Sequence, residues 1–171
     1  MKIIITGINE IDERKLANKL VAYDDSLSIS SIFTTSDKKQ PYRKYIKPEI
    51  INLSFKNNSL FFIYTKKYIS EGITIEDYYN NNIFITSIEE FNNISDKFFT
   101  DDTLTIWLDE KVNNAEITDN YKWETKFLIN RLPDIKYMYF VNNYTDLIAK
   151  TIIKYINSDE TTKQQLLIEN S

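Results

Sequence analysis

The sequence predicts an α/β domain: a mostly parallel sheet flanked by helices, with a small inserted β lobe. Short β-branched runs such as Ile3-Ile4-Ile5 alternate with helix-period segments such as Leu16, Ala17 and Leu20. That rhythm belongs to parallel strands joined by crossover helices. Hydrophobic content of 42%, with 14% aromatic residues, supports a folded core. A strand-rich stretch from about 36 to 72 interrupts the alternation, as an insertion does. At 171 residues the chain fits a single domain over 1–157, with a polar tail over 158–171.

Taken in order, Ile3–Thr6 reads as a buried strand and Asp12–Tyr23 as a helix, with Asn9 suited to its N-cap. Asp24-Asp25-Ser26 is a turn, and Leu27–Thr35 is β-branched enough for a second strand. Ser36–Pro48 reads as a polar, basic loop. Ile50–Phe55 and Leu60–Tyr64 are strand candidates joined by Lys56-Asn57-Asn58-Ser59 in hairpin fashion. Ile73–Tyr79 suits a short helix, Ile83–Thr86 a strand, Ile88–Ile94 a helix and Leu104–Leu108 a buried strand. Val112–Arg131 reads as a polar connection and a helix ended by Pro133. Tyr137–Val141 is the last strand and Tyr144–Ile156 the last helix.

The first twenty residues have the strand–loop–helix layout of a P-loop, so the sheet is expected to be of P-loop type. The motif is G-x-x-x-x-G-K-[ST]. Counted from Gly7, the second glycine, the lysine and the hydroxyl residue fall on Asp12, Glu13 and Arg14. In a working loop the glycines let backbone N–H groups wrap the phosphates, the lysine reaches the β/γ oxygens and the hydroxyl binds Mg²⁺. Here one carboxylate sits where backbone must approach and another replaces the ammonium. Two unit charges about 4 Å apart interact by roughly 4 kcal/mol at an effective dielectric of 20. Replacing Lys by Glu reverses the sign of that interaction. The helix terminus attracts an anion by only about 0.3–1 kcal/mol at exposed sites, and acids in its own first turn already complement the dipole. No cofactor is expected at Gly7, Asp12, Glu13 and Arg14.

Composition narrows the chemistry further. There are no cysteines, so no disulfide, thiolate zinc site or cysteine nucleophile, and no histidines, the commonest metal ligand and acid/base near neutral pH. The net charge of −4 gives no general footprint for nucleic acid. No apolar run approaches a membrane span, and Ile3–Ile5 is too short for a signal-peptide core. Only two glycines, Gly7 and Gly72, are present, which counts against any phosphate-cradling loop. Abundant Lys, Asn and Ile with three arginines reads as the codon bias of an AT-rich genome, such as that of many phages or bacteria of low GC content.

The order of elements resembles guanylate kinase, a P-loop nucleoside monophosphate kinase, over most of residues 2–156. Ile3–Leu20 is similar to the family's first strand, loop and helix. Leu27–Thr35 looks like the strand entering its S-x-T-T-R segment, Tyr42–Tyr68 like its GMP-binding lobe and Glu71-Gly72-Ile73-Thr74 like the exit. Tyr137–Asn143 followed by Tyr144–Ile156 looks like its closing strand and helix. The departures all remove chemistry. The serine and arginine of S-x-T-T-R are Ile32 and Ser36. Between Asp109 and Arg131 only lysines stand where the family's lid carries phosphoryl-clamping arginines. Ile83–Thr86 ends in no carboxylate for Mg²⁺.

Two other constellations were weighed. Asp101-Asp102 and Asp109-Glu110 flank a strand and read as solvated turn charges rather than an Mg²⁺ site. Lys38-Lys39, Arg43-Lys44, Lys47 and Lys66-Lys67 interleave with tyrosines, a pattern that can bind single-stranded nucleic acid. In an acidic protein it reads better as lysines on the solvent face of aromatic strands. Trp107 and Trp123 read as core or interface anchors. The expectation is a kinase-like domain with no catalytic residues and no metal, serving as a structural or protein-interaction module through a protein partner or self-assembly. The alternative is a nucleoside monophosphate kinase with a divergent phosphate site. Interface candidates are Tyr42, Tyr45, Tyr64, Tyr68, Tyr78 and Tyr79. The expected location is cytoplasmic, or the virion if the source is a phage.

Overall fold

The computed structural model describes residues 1–7, 10–38, 43–51, 57, 60–66, 68–94, 98–109, 135–141 and 145–170. Four strands form the main sheet: β1 (Lys2–Gly7), β6 (Ile83–Ser87), β7 (Thr103–Asp109) and β8 (Tyr137–Val141). They run in the order β6-β1-β7-β8 and every pairing is parallel. β1 is therefore central, and its β-branched run is buried on both faces, as a parallel strand between two helical layers requires.

Alternation along β1 divides the core. Ile3 and Ile5 point to one face, where α1 (Glu10–Tyr23) and α4 (Thr145–Ile156) supply Leu16, Ala17, Leu20, Ile148 and Ile152. Ile4 points to the other. There it meets Phe84, Trp107 and Phe91, the last from α3 (Ile88–Asn93). Ile32, Ile73 and Tyr78 join this second cluster from the inserted lobe and the helix that leaves it.

The lobe is a second sheet of four strands: β2 (Ile32–Thr34), β3 (Arg43–Tyr45), β4 (Leu60–Lys66) and β5 (Ile69–Thr74), in the order β3-β2-β5-β4. Its hairpin differs from the sequence reading. β4 pairs antiparallel with β5; residues 48–51, which include the start of the expected first arm, form a helical turn, and 52–55 lie outside the described residues. The strand expected over Leu27–Thr35 is confined to Ile32–Thr34, with Ile29 bridging to Ile83 at the edge of the main sheet. Chain direction out of β5 is set by α2 (Ile75–Asn80), which Thr74 caps by accepting the Asp77 N–H at 3.0 Å. Lys2 closes the other end of α2, donating to the carbonyls of Tyr78 and Asn81.

The expected tail is also corrected in part. Glu160–Glu169 forms a fifth helix, α5, capped by Asp159, which accepts the Thr162 N–H at 2.8 Å. Leu166 is buried in the first core cluster, and Asn170 accepts the Tyr139 N–H at 2.6 Å on the outer side of β8. A helix that sends one large residue into the core has little sequence periodicity to betray it. The expected helix within Val112–Arg131 lies outside the described residues. Leu166→Ala is expected to cost about 2–5 kcal/mol, the range for truncating a buried leucine. Urea unfolding measures this, and a loss below about 0.5 kcal/mol would mean that α5 does not dock.

Candidate functional site

In open parallel sheets, ligands bind beyond the C-terminal ends of the strands. Here those ends are Gly7, Ser87, Asp109 and Val141. The turn after β1 decides what this edge can hold. α1 already begins at Glu10, so only Ile8 and Asn9 connect strand to helix. Residues 10–12, which a phosphate-cradling loop keeps non-helical, are inside the helix, and Asp12 and Glu13 fall in its opening turns. Asn9, the expected N-cap, lies outside the described residues.

Glu13 is 1% exposed. Its carboxylate lies against the end of β1: a Cβ built on Gly7 would stand 2.8 Å from Glu13 Oε1 and 2.4 Å from the Leu108 carbonyl oxygen. Gly7 is thus kept small by close approach of β7 and α1. Asp12 is also buried, and its Oδ1 accepts from Lys15 Nζ at 2.9 Å. Arg14 is half-buried on the same helix.

At the next strand end a capping box starts α3. Ser87 Oγ accepts the Glu90 N–H at 3.1 Å, and Glu90 Oε2 accepts the Ser87 N–H at 2.7 Å. Arg43, reaching over from β3 in the lobe, donates from Nη2 to both Glu90 oxygens, at 3.0 and 3.2 Å. Glu71 on β5 stands 3.7 Å from Arg43 Nε. The Arg43 and Glu90 side chains are only 8% and 4% exposed. Burial pushes the Glu90 carboxyl up to about 7 against the attraction of Arg43, and hydrogen bonding to Glu71 adds to the rise. Nearby, the Tyr64 hydroxyl donates to Glu89.

No family model matches the sequence, and no curated protein is similar to it. Among solved structures it is similar to the guanylate kinase from Anaplasma phagocytophilum, at a TM-score of 0.62 and 12% identity, over 98% of this chain and 93% of that one. The fold is guanylate kinase-like. At this identity the likeness speaks for the fold alone.

Within the guanylate kinase-like frame, the acidic pairs do not meet. Asp102 pairs with the amino terminus at 2.9 Å, before β7, while Asp109 ends that strand and accepts from the Tyr139 hydroxyl at 2.8 Å. A seven-residue strand puts roughly 20 Å between them. Among the described residues no three acids come together as a metal site would need. Of the basic and aromatic residues, Lys38, Lys44 and Lys47 are exposed, but Arg43 is withdrawn into its ion pair.

The tyrosines separate as well. Tyr68 is 99% exposed, and Tyr45 and Tyr79 also face solvent. Tyr64 is half-buried and Tyr42 lies outside the described residues. Tyr78 is corrected from interface to core: it is 8% exposed, packs edge-on against Phe98 at 4.9 Å and stacks with Phe84 at 5.9 Å. The Lys2 ammonium sits 4.7 Å over its ring. Sequence reasoning places Arg43 on a solvent face and Glu71 at the lobe's exit, and joins neither to Glu90. The Ser87-x-x-Glu90 spacing is a capping-box signal, but nothing local marks Arg43 as its partner.

One further row distinguishes this sheet end. Thr6, Thr86 and Trp107 are in register on β1, β6 and β7, and Thr105 lies two residues earlier on β7, opposite Ile4. Among the described residues, the Oγ1 atoms of all three threonines and Trp107 Nε1 are buried without a hydrogen-bond partner. Each such group costs about 1–3 kcal/mol. Thr6→Val and Thr86→Val, which delete the unpaired hydroxyl, are expected to leave the melting temperature unchanged or raise it. A clear fall in either variant would mean that its hydroxyl does have a partner.

Proposed function

We propose that this chain is a guanylate kinase-like domain without phosphoryl-transfer activity, working as a structural or protein-interaction module. The observation that carries this reading is the two-residue connection from Gly7 to α1. It leaves no loop long enough to wrap a phosphate, and Glu13 places a carboxylate where the transferring group would need a cation. Phosphoryl transfer rests almost wholly on positioning and charge stabilisation, so a fold without these parts retains little of the chemistry. Its composition suits a phage virion or accessory component.

Tyr45, Tyr68 and Tyr79 are the surface features that support a protein partner or a second copy of the chain, since exposed tyrosine anchors interfaces at low entropic cost. Two measurements test the proposal together. In a coupled assay with Mg-ATP and GMP, or another nucleoside monophosphate, no turnover above background is expected. Turnover that scales with purified protein would restore the kinase alternative. Tyr68→Ala and Tyr79→Ala are expected to weaken association, read by sedimentation with itself or a co-purified partner, by about 2 kcal/mol or more at a hot spot. Stability is expected to stay within about 0.5 kcal/mol. Unchanged association in both variants would remove these tyrosines from the interface.

A further inference from the structure

Among the described residues, a buried charged cluster joins the lobe to α3, and it sets two carboxyls against one guanidinium. Arg43 comes from β3, Glu71 from β5 and Glu90 from α3, so two carboxyls face one guanidinium in a buried setting. Glu89, beside Glu90, is turned to the Tyr64 hydroxyl of β4. These are the charged and titratable groups that the described elements of the lobe and α3 bring to this point. We propose that Arg43, Glu71 and Glu90 form a proton-operated latch that holds the inserted lobe against α3.

With a proton on Glu90, the cluster is neutral: one guanidinium, one carboxylate, one carboxylic acid. Glu90 then keeps its two bonds from Arg43 and its bond from the Ser87 N–H. When that proton leaves, the buried Glu90 carboxylate and the partly exposed Glu71 carboxylate face one cation, and the like charges repel. Relief comes from moving β3 and β5 away from α3, because Glu90 is fixed to its own helix by the capping box. The direction of the Glu90 shift agrees. Its folded value lies near 7, above about 4.3 in an unfolded chain. Its stabilising contribution is therefore complete below the unfolded value and lost as pH rises through 7.

The chain suits the test because it has no histidine or cysteine to titrate in this range. The melting temperature of the unmodified protein is expected to fall between pH 5.5 and 8. Glu71→Gln, which removes the second carboxylate, is expected to reduce that slope and to equal or exceed the unmodified protein at pH 8. Glu89→Gln is expected to keep the slope. Hydrogen exchange on the unmodified protein supplies a second readout that needs no variant. Segments 43–45 and 69–74 are expected to lose protection with rising pH relative to 103–109. A flat profile in the unmodified protein, the same slope in Glu71→Gln, or a uniform change in protection would overturn the latch.

Discussion

Everything at the working end of this sheet follows from the crowding at Gly7. β1 is the central strand, and where it stops, the Leu108 carbonyl and the Glu13 carboxylate leave no space for even one additional carbon. A glycine that the motif would assign to phosphate wrapping serves here to let a helix and a neighbouring strand close on each other. α1 can then start after two residues, and its acidic first turns lie against the strand end. The helix terminus is complemented from within the chain, which is the ordinary use of acids in a first turn. The guanylate kinase-like frame persists because it rests on buried Ile, Leu and Phe side chains, none of which depends on the phosphate chemistry.

The second constraint is the joint between lobe and sheet. A buried ion pair is seldom a net source of stability, yet losing one partner leaves an uncompensated charge. Arg43 ties the lobe to α3 through Glu90, and its removal would leave that carboxyl buried without a counter-charge. The same residue explains why the basic stretch around the lobe presents less charge than its sequence implies: its arginine is turned inward, leaving exposed lysines. Exposed charge elsewhere is balanced locally. Asp146, held well below the usual carboxylate range by hydrogen bonds from Lys150, Tyr23 and Lys19, ties α1 to α4 at the surface.

Much of this was legible in the sequence, for identifiable reasons. β1, β6, β7 and β8 are buried on both faces and read as short β-branched or aromatic runs, and α1 and α4 carry clear apolar stripes. The lobe was less legible because its pairings are decided by tertiary partners. The start of the stretch expected to be a hairpin arm falls in the helical turn at 48–51, and Ile69–Thr74 pairs with β4. α5 escaped because a polar helix with one buried leucine looks like a tail. At the site, a glutamate at the position where a P-loop motif has lysine could be read directly from Glu13. That the helix starts early enough to abolish the loop could not, since Asp12 allows either conformation. Tyr78 and Tyr79 are adjacent and chemically identical, so only the structure separates core from surface.

The proposed function requires that the Gly7–Arg14 turn accept no phosphate. Calorimetric titration with Mg-ATP measures this most directly. The account predicts no saturable heat at millimolar nucleotide, both in the unmodified protein and in Glu13→Gln, where the charge is removed but the short connection remains. Saturable submillimolar binding that is lost on altering Asp12 or Glu13 would contradict it.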